Sequence, residues 1–180
     1  MENNHVFKVT CFAPIEPSQL ANVLGIYFKT VKTGFEMNMD GTFFRIEPFQ
    51  NQPRTSMKGY RIYFDCDIHA GLYLLDQTIG HMEPIVTGVE CILSIANQTT
   101  QDWIRNIKMR SYKSTGRGLF DKEGVGIIVV NNTVTLQIRS KKDQKLKVVE
   151  CINKIDSIRK DLLPAVEYDL FSLPENESIA

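Results

Sequence analysis

The chain has 180 residues, of which 43% are hydrophobic, and its 21 basic side chains balance its 21 acidic ones. A chain of this length and composition buries a core without disulfide or metal staples, which excludes disordered and collagen-like proteins. No apolar run approaches the roughly 18 residues that a membrane helix needs, and the first residues do not form a secretory signal. We therefore expect a soluble, intracellular protein that could contact nucleic acid only through local positive charge.

The four cysteines lie far apart in apolar stretches and form no CxxC pair (Cys11, Cys66, Cys91 and Cys151). Free cysteine is among the most buried residue types, so this spacing predicts reduced core cysteines. The alternative is a metal site assembled by folding. No cofactor is expected.

The first half of the chain is predicted to form a strand, a helix, a hairpin, a strand and a short helix. A β-branched and aromatic run at 6–13 gives the strand, and apolar residues at helical spacing after Pro17 give the helix. The hairpin covers 34–48 and turns at Asp40-Gly41, with Phe35, Met37 and Met39 on its buried face. A strand at 60–67 and a helix around 72–79 follow.

The second half begins with a strand at 90–97 and a helix that Thr99 or Thr100 can cap. A second hairpin covers 126–140 and turns at Asn131-Asn132. The apolar stripe of 146–163 predicts a long amphipathic helix with Asp156 among its polar residues, ended by Pro164. Because the order strand, helix, hairpin occurs twice, we expect an α+β fold with two repeats, 1–86 and 87–164, followed by an acidic flexible tail at 165–180.

Only weak signals of catalysis occur. Asp65, Asp67 and His69 lie close together and could hold a divalent metal, but solvated charges at a strand end are the simpler interpretation. The segment STGRG at 114–118 lacks the spacing of a phosphate-binding loop and is predicted to be a flexible loop.

A basic stretch with interleaved aromatic residues is the strongest functional signal. It contains Tyr112, Phe120 and the basic residues Arg105, Lys108, Arg110, Lys113, Arg117 and Lys122. Such a stretch suits phosphate contacts and base stacking, although a solvated basic loop is the alternative. In the return strand that follows, Val134, Leu136 and Ile138 should face the core. Thr133, Thr135, Gln137 and Arg139 should then lie on the opposite face, where they could bond bases or phosphates.

Three segments in the second half resemble the TATA-box-binding protein family: ILSIAN (92–97), RNIKMRSYKSTGRGLF (105–120) and GIIVVNNTVTLQIRSK (126–141). The final helix, closed by Pro164, is similar to that family's last helix. The resemblance implies a saddle: a curved antiparallel sheet with helices on the convex face. It makes Asn97 the central minor-groove asparagine, Phe120 a wedge between bases, and Val129 the partner wedge position, where the family has phenylalanine.

The function implied by this resemblance is that of a transcription factor, located in the nucleus or another site of transcription. It would bind A/T-rich double-stranded DNA and transcription-machinery proteins, with no catalysis, membrane or small-molecule substrate. The neutral charge and the carboxylate of Glu36 suggest a divergent relative that needs a partner to bind DNA. The alternatives are an α+β protein-interaction module that does not bind DNA, and an enzyme using Asp65, Asp67 and His69.

Overall fold

The computed structural model describes residues 3–24, 28–39, 42–49, 56–65, 68–95, 98–142 and 144–163, except the side chains of Asn3, Asn4, Met39, Thr42 and Ile95. The first seven elements are β1 (Asn3–Ala13), α1 (Pro17–Leu24), β2 (Lys29–Val31), β3 (Gly34–Met39), β4 (Thr42–Phe49), β5 (Lys58–Phe64) and α2 (Ile68–Met82). The next seven are β6 (Ile85–Ile95), α3 (Thr100–Met109), β7 (Lys113–Gly116), β8 (Leu119–Lys122), β9 (Val125–Val130), β10 (Thr133–Arg139) and α4 (Val148–Leu162).

The strands form one ten-stranded sheet in the order β2-β3-β4-β5-β1-β6-β10-β9-β8-β7. Every neighbouring pair is antiparallel. The central pair is β1 with β6, which runs from Asn3 opposite Ile95 to Phe12 opposite Ile85. The prediction of an α+β fold with an antiparallel sheet is therefore confirmed. The strands before α2 lie on one side of the central pair, and those after α3 lie on the other.

One face of the sheet carries the core. A row of neighbouring buried residues crosses eight strands: Met37, Phe44, Phe64, Phe7, Cys91, Leu136, Ile127 and Phe120. All four helices bury side chains in the same cluster, among them Leu20, Leu75, Trp103 and Ile152. Because strand side chains alternate between faces, the residues between these core positions lie on the other side of the sheet. We call that side the open face.

The cysteines follow the prediction where the structure describes them. Cys11, Cys91 and Cys151 are buried and form no disulfide. Burial raises the pKa of the Cys11 and Cys91 thiols to about 12, so they are protonated core side chains. Cys66 lies outside the described residues.

Helix α4 corrects one prediction. Asp156 is only 5% exposed, although the sequence pattern placed it on a polar face. Its carboxylate is held by Arg159 Nη2 at 2.7 Å and by Lys160 Nζ at 2.8 Å. Conversely, Val149, one of the apolar residues within the predicted stripe of 146–163, is 51% exposed. The buried face of α4 thus includes a paired charge that apolar periodicity does not reveal.

The prediction of a flexible loop at 114–118 is wrong. This segment forms most of β7 and the turn into β8, with Ser114 paired to Phe120 and Gly116 to Leu119. Gly118 has φ +70, a conformation that favours glycine. The turn at Asp40-Gly41 and the tail at 165–180 lie outside the described residues.

Candidate nucleic-acid interface

A row of polar side chains crosses the middle of the open face. Pairing between neighbouring strands gives the sequence Lys29, Glu36, Arg45, Tyr63, Lys8, Glu90, Gln137, Gly126, Asp121 and Lys113, one residue from each strand. We call this the central row. Basic and acidic residues alternate along much of it. The middle of the open face is therefore polar and nearly balanced in charge.

Ion pairs neutralise much of this row. Arg45 Nε lies 3.3 Å from Glu36 Oε1, and Arg45 Nη2 lies 2.9 Å from Glu47 Oε1. In the two middle strands Lys8 pairs with Glu90, whose side chain is 13% exposed. Arg139 Nη2 also approaches Glu90 Oε1 at 3.6 Å. These carboxylates compete with any phosphate for the same cations.

Apolar side chains flank the central row on both sides. On one side the apolar Val6, Ile92, Ile128 and Leu119 and one polar residue, Thr135, between Ile92 and Ile128, are neighbours from β1 to β8. On the other side Phe49, Gly59, Phe12 and Ile85 are neighbours from β4 to β6. We call these the Leu119 row and the Phe49 row. Leu119 is 41% and Ile85 44% exposed.

The Phe49 row ends in an aromatic cluster. The rings of Phe12 and Phe49 meet edge to face with centroids 5.7 Å apart. The Arg61 guanidinium lies 4.6 Å from the centroid of Phe49. A Cβ on Gly59 would lie 2.5 Å from Phe49 Cζ, so the absence of a side chain there lets the ring lie against the sheet.

The predicted polar contacts of β10 lie on the open face. Val134 and Leu136 are fully buried, whereas Thr135 and Gln137 point to the opposite side. Arg139 Nε donates a hydrogen bond to Gln137 Oε1 at 3.1 Å. The side-chain carbonyl of Gln137 therefore already accepts a hydrogen bond, and its NH₂ group is the donor available to a ligand. Lys113 lies at the far end of the central row.

The two predicted wedges do not lie on the open face. Phe120 is 3% and Val129 is 5% exposed, and both belong to the core cluster. The expectation that they wedge between bases is corrected by this placement, because a wedge must project from the surface. Their neighbours Leu119 and Ile128 lie on the open face instead, paired with each other across β8 and β9. A shift of one residue along a strand moves a side chain to the opposite face.

The basic stretch is divided between separate surfaces. Arg105 and Lys108 are exposed on α3, whose Trp103 and Ile107 are buried in the core cluster on the helix side of the sheet. Arg110, which follows α3, donates from Nε to the backbone oxygen of Asp161 at 2.7 Å. Arg117 is exposed between β7 and β8. Lys113 is thus the one residue of the basic stretch that lies on the central row with Gln137. Asn97, the predicted minor-groove asparagine, lies outside the described residues.

The predicted metal candidates gain no support. Asp65 Oδ1 accepts a hydrogen bond from the backbone nitrogen of Phe43 at 3.2 Å. Asp67 lies outside the described residues. Within the part of the chain that the structure describes, no group of three potential ligands could hold a metal ion.

Several residues of the open face were not predicted from the sequence as site residues: Lys8, Arg45, Arg61, Glu90, Leu119 and Ile128. The available signal was alternation along β1, β4, β5 and β6, which identifies two faces but not which strands are neighbours. The Lys8–Glu90 pair joins residues 82 positions apart in the chain. Only the sheet topology reveals such a contact.

Comparisons with protein-family models and with curated protein sequences gave no match. Among the described residues, no helix combines the length and the apolar character needed to cross a bilayer.

Proposed function

We propose that the open face binds the minor groove of A/T-rich duplex DNA, and that the chain is a divergent TATA-box-binding-like factor. The observation that carries this proposal is the ten-stranded sheet with all four helices on one face and a polar row between two apolar rows on the other. The order strand, helix, four strands, helix occurs twice, and the strand order reads alike from either edge. This supports an internal repeat and a saddle.

The side chains of the open face suit an A·T minor groove. The floor of that groove presents only hydrogen-bond acceptors, so a protein needs donors. Thr135, Gln137 and Arg139 supply them from β10, next to the middle of the sheet. The two apolar rows can lie against sugars. Leu119, which is 41% exposed, is the wedge candidate, because apolar side chains of this kind open base steps in minor-groove complexes.

The charge of the open face sets the expected strength of binding. Its basic residues include Lys8, Arg45 and Arg139, and all three are paired with carboxylates. A phosphate contact by any of these three must therefore replace an internal ion pair. We expect moderate affinity alone and tighter binding when a transcription partner also contacts the DNA.

The test is fluorescence anisotropy of labelled A·T-rich and G·C-rich duplexes at two salt concentrations. We expect salt-dependent preference for the A·T-rich duplex. Ile128→Glu places a carboxylate on the Leu119 row and should weaken binding at least about tenfold. Val149→Glu is the matched control, since Val149 is exposed on α4 at the helix side. Equal affinity for both duplexes, or equal effects of the two variants, would overturn the proposal.

A second candidate is a protein-interaction module that uses the same face. The ion pairs of the central row favour it, because a neutral polar strip with apolar flanks also suits a protein surface. Absence of binding to either duplex at micromolar protein would select this candidate.

A further inference from the structure

We propose that residues 165–180 bind back onto the outer surface of α3. We define this surface by Gln101, Ile104, Arg105, Lys108 and Met109, which line a shallow groove of about 480 Å³. The proposal is independent of DNA binding. It gives a role to the basic residues of α3, which the open face does not include.

The α3 surface combines exposed apolar and basic groups. Met109 is 76% exposed, and Arg105 and Lys108 are exposed one turn apart beside it. Within the described residues, neither Arg105 nor Lys108 forms an ion pair with a carboxylate. An exposed thioether beside exposed cations suits a ligand that is both acidic and apolar.

The C-terminal end of α4 is fixed beside this surface. Asn106 Nδ2 donates to the backbone oxygen of Leu162 at 2.8 Å, and Arg110 Nε donates to that of Asp161 at 2.7 Å. The Asp161 carboxylate also accepts from Tyr112 and lies 3.2 Å from Lys122 Nζ. The segment that follows α4 therefore starts next to Asn106, which is one helical turn from Met109 at the edge of this surface.

The segment has the complementary chemistry. Residues 165–180 contain four carboxylates (Glu167, Asp169, Glu175 and Glu177) and no basic residue. Apolar side chains alternate with the first of them in VEYDLF, at 166–171. Five extended residues span about 16 Å, which is about the length of a ten-residue helix. The acidic and aromatic part can thus cover α3 without a long linker, and binding within one chain has a high effective concentration.

Zero-length carbodiimide coupling tests the contact directly, because it joins a lysine amine to a carboxylate that touches it. In a mixture of unlabelled and ¹⁵N-labelled protein, we expect Lys108 to couple to a carboxylate of 165–180 within one chain, and high salt to suppress this product. Lys29 and Lys142 are exposed control lysines away from α3. Coupling between chains would assign the surface to a second copy, and equal coupling of all three lysines would show no preferred site; either result overturns the proposal.

Proteolysis supplies a second, independent readout. Chymotrypsin should cleave after Tyr168 or Phe171 at least about threefold faster in R105E/K108E than in the unmodified chain, since charge reversal releases the segment. K141E/K142E is the matched control with the same change of charge. Adding E167K/D169K to R105E/K108E should restore protection. Unchanged cleavage in R105E/K108E, with native Trp103 fluorescence as evidence of folding, would overturn the proposal.

Discussion

Gly59 determines how the aromatic end of the open face is built. It is the neighbour of both Phe12 and Phe49, and the Phe49 ring occupies the space that its side chain would need. Gly59→Ala should therefore push the ring away from the sheet and from Arg61. We expect the free energy of unfolding to fall by about 1 kcal/mol, measured by urea denaturation.

The Phe49→Ala background is the control for this substitution. Without the ring, the three atoms closest to a methyl group at position 59 are gone, so Gly59→Ala should cost much less there and the two changes should be strongly non-additive. If Gly59→Ala costs the same in both backgrounds, the ring contact is not what requires glycine.

Asp156 links the stability of the molecule to pH. Burial raises the pKa of this carboxyl, but hydrogen bonds from Lys160 and Arg159 outweigh that effect, and the pKa is lowered. A lowered pKa in the folded state means that the stabilisation is present above about pH 4, the unfolded pKa, and is lost as pH falls through the folded value. Asp156→Asn leaves the Arg159 side chain, itself 13% exposed, without its anion.

We expect Asp156→Asn to lower the free energy of unfolding by about 3 kcal/mol at pH 7, with the difference shrinking below about pH 4. Thermal unfolding across pH 3 to 7 measures it. Glu150→Gln is the control, because Glu150 pairs with Lys147 while 72% exposed and should change stability by less than about 0.5 kcal/mol. A pH-independent loss in Asp156→Asn would show that packing, not charge, is responsible.

At the scale of elements, the β9–β10 turn holds the start of α3. Both turn residues, Asn131 and Asn132, have positive φ. Asn132 Oδ1 accepts from the nitrogen and the hydroxyl of Thr100, each at 2.9 Å, and its backbone oxygen accepts from Trp103 Nε1 at 3.2 Å. Asn132→Gly keeps the turn conformation but removes the side-chain acceptor.

We expect Asn132→Gly to lower the free energy of unfolding by about 1.5 kcal/mol, since two hydrogen bonds to the first turn of α3 are lost. Asn131→Gly should be nearly neutral, because glycine tolerates the positive φ and no side-chain bond is removed. Urea denaturation followed by the fluorescence of Trp103, the single tryptophan, measures the free energy of unfolding of both variants. Equal losses in the two variants would attribute the effect to the turn alone.

The elements differ in how well local pattern predicts them. The alternation in TVTLQIR predicted both faces of β10 correctly, because Val134 and Leu136 on one face are fully buried. Strands β7 and β8 were missed, since KSTG is fully exposed and carries no alternation. Phe120 and Val129 were assigned by likeness to a family, and a one-residue offset in strand register reverses the face. The burial of Asp156 was not predicted, because it depends on the ion pairs with Arg159 and Lys160 and not on the polarity of the side chain.

At the scale of the whole molecule, the pair of β1 with β6 joins two five-stranded halves of the sheet. The central row crosses this junction at Lys8 and Glu90. Arg139 also approaches Glu90 there, and a second group of ion pairs centres on Arg45, which bridges Glu36 and Glu47. Several cations of the open face are thus paired with carboxylates of the same molecule. Removing the carboxylates that pair with one cation should therefore change how the open face binds a polyanion.

The double variant E36Q/E47Q tests this on the proposed DNA-binding face. Freed from both carboxylates, Arg45 can replace a counterion on the duplex, so the slope of log affinity against log salt should steepen by about one. Affinity for the A·T-rich duplex at low salt should rise as well. E16Q/E150Q is the matched control: it removes the same number of carboxylates from exposed ion pairs away from the open face. A steeper slope in both variants would indicate an effect of net charge alone, whereas a change confined to E36Q/E47Q places Arg45 at the interface.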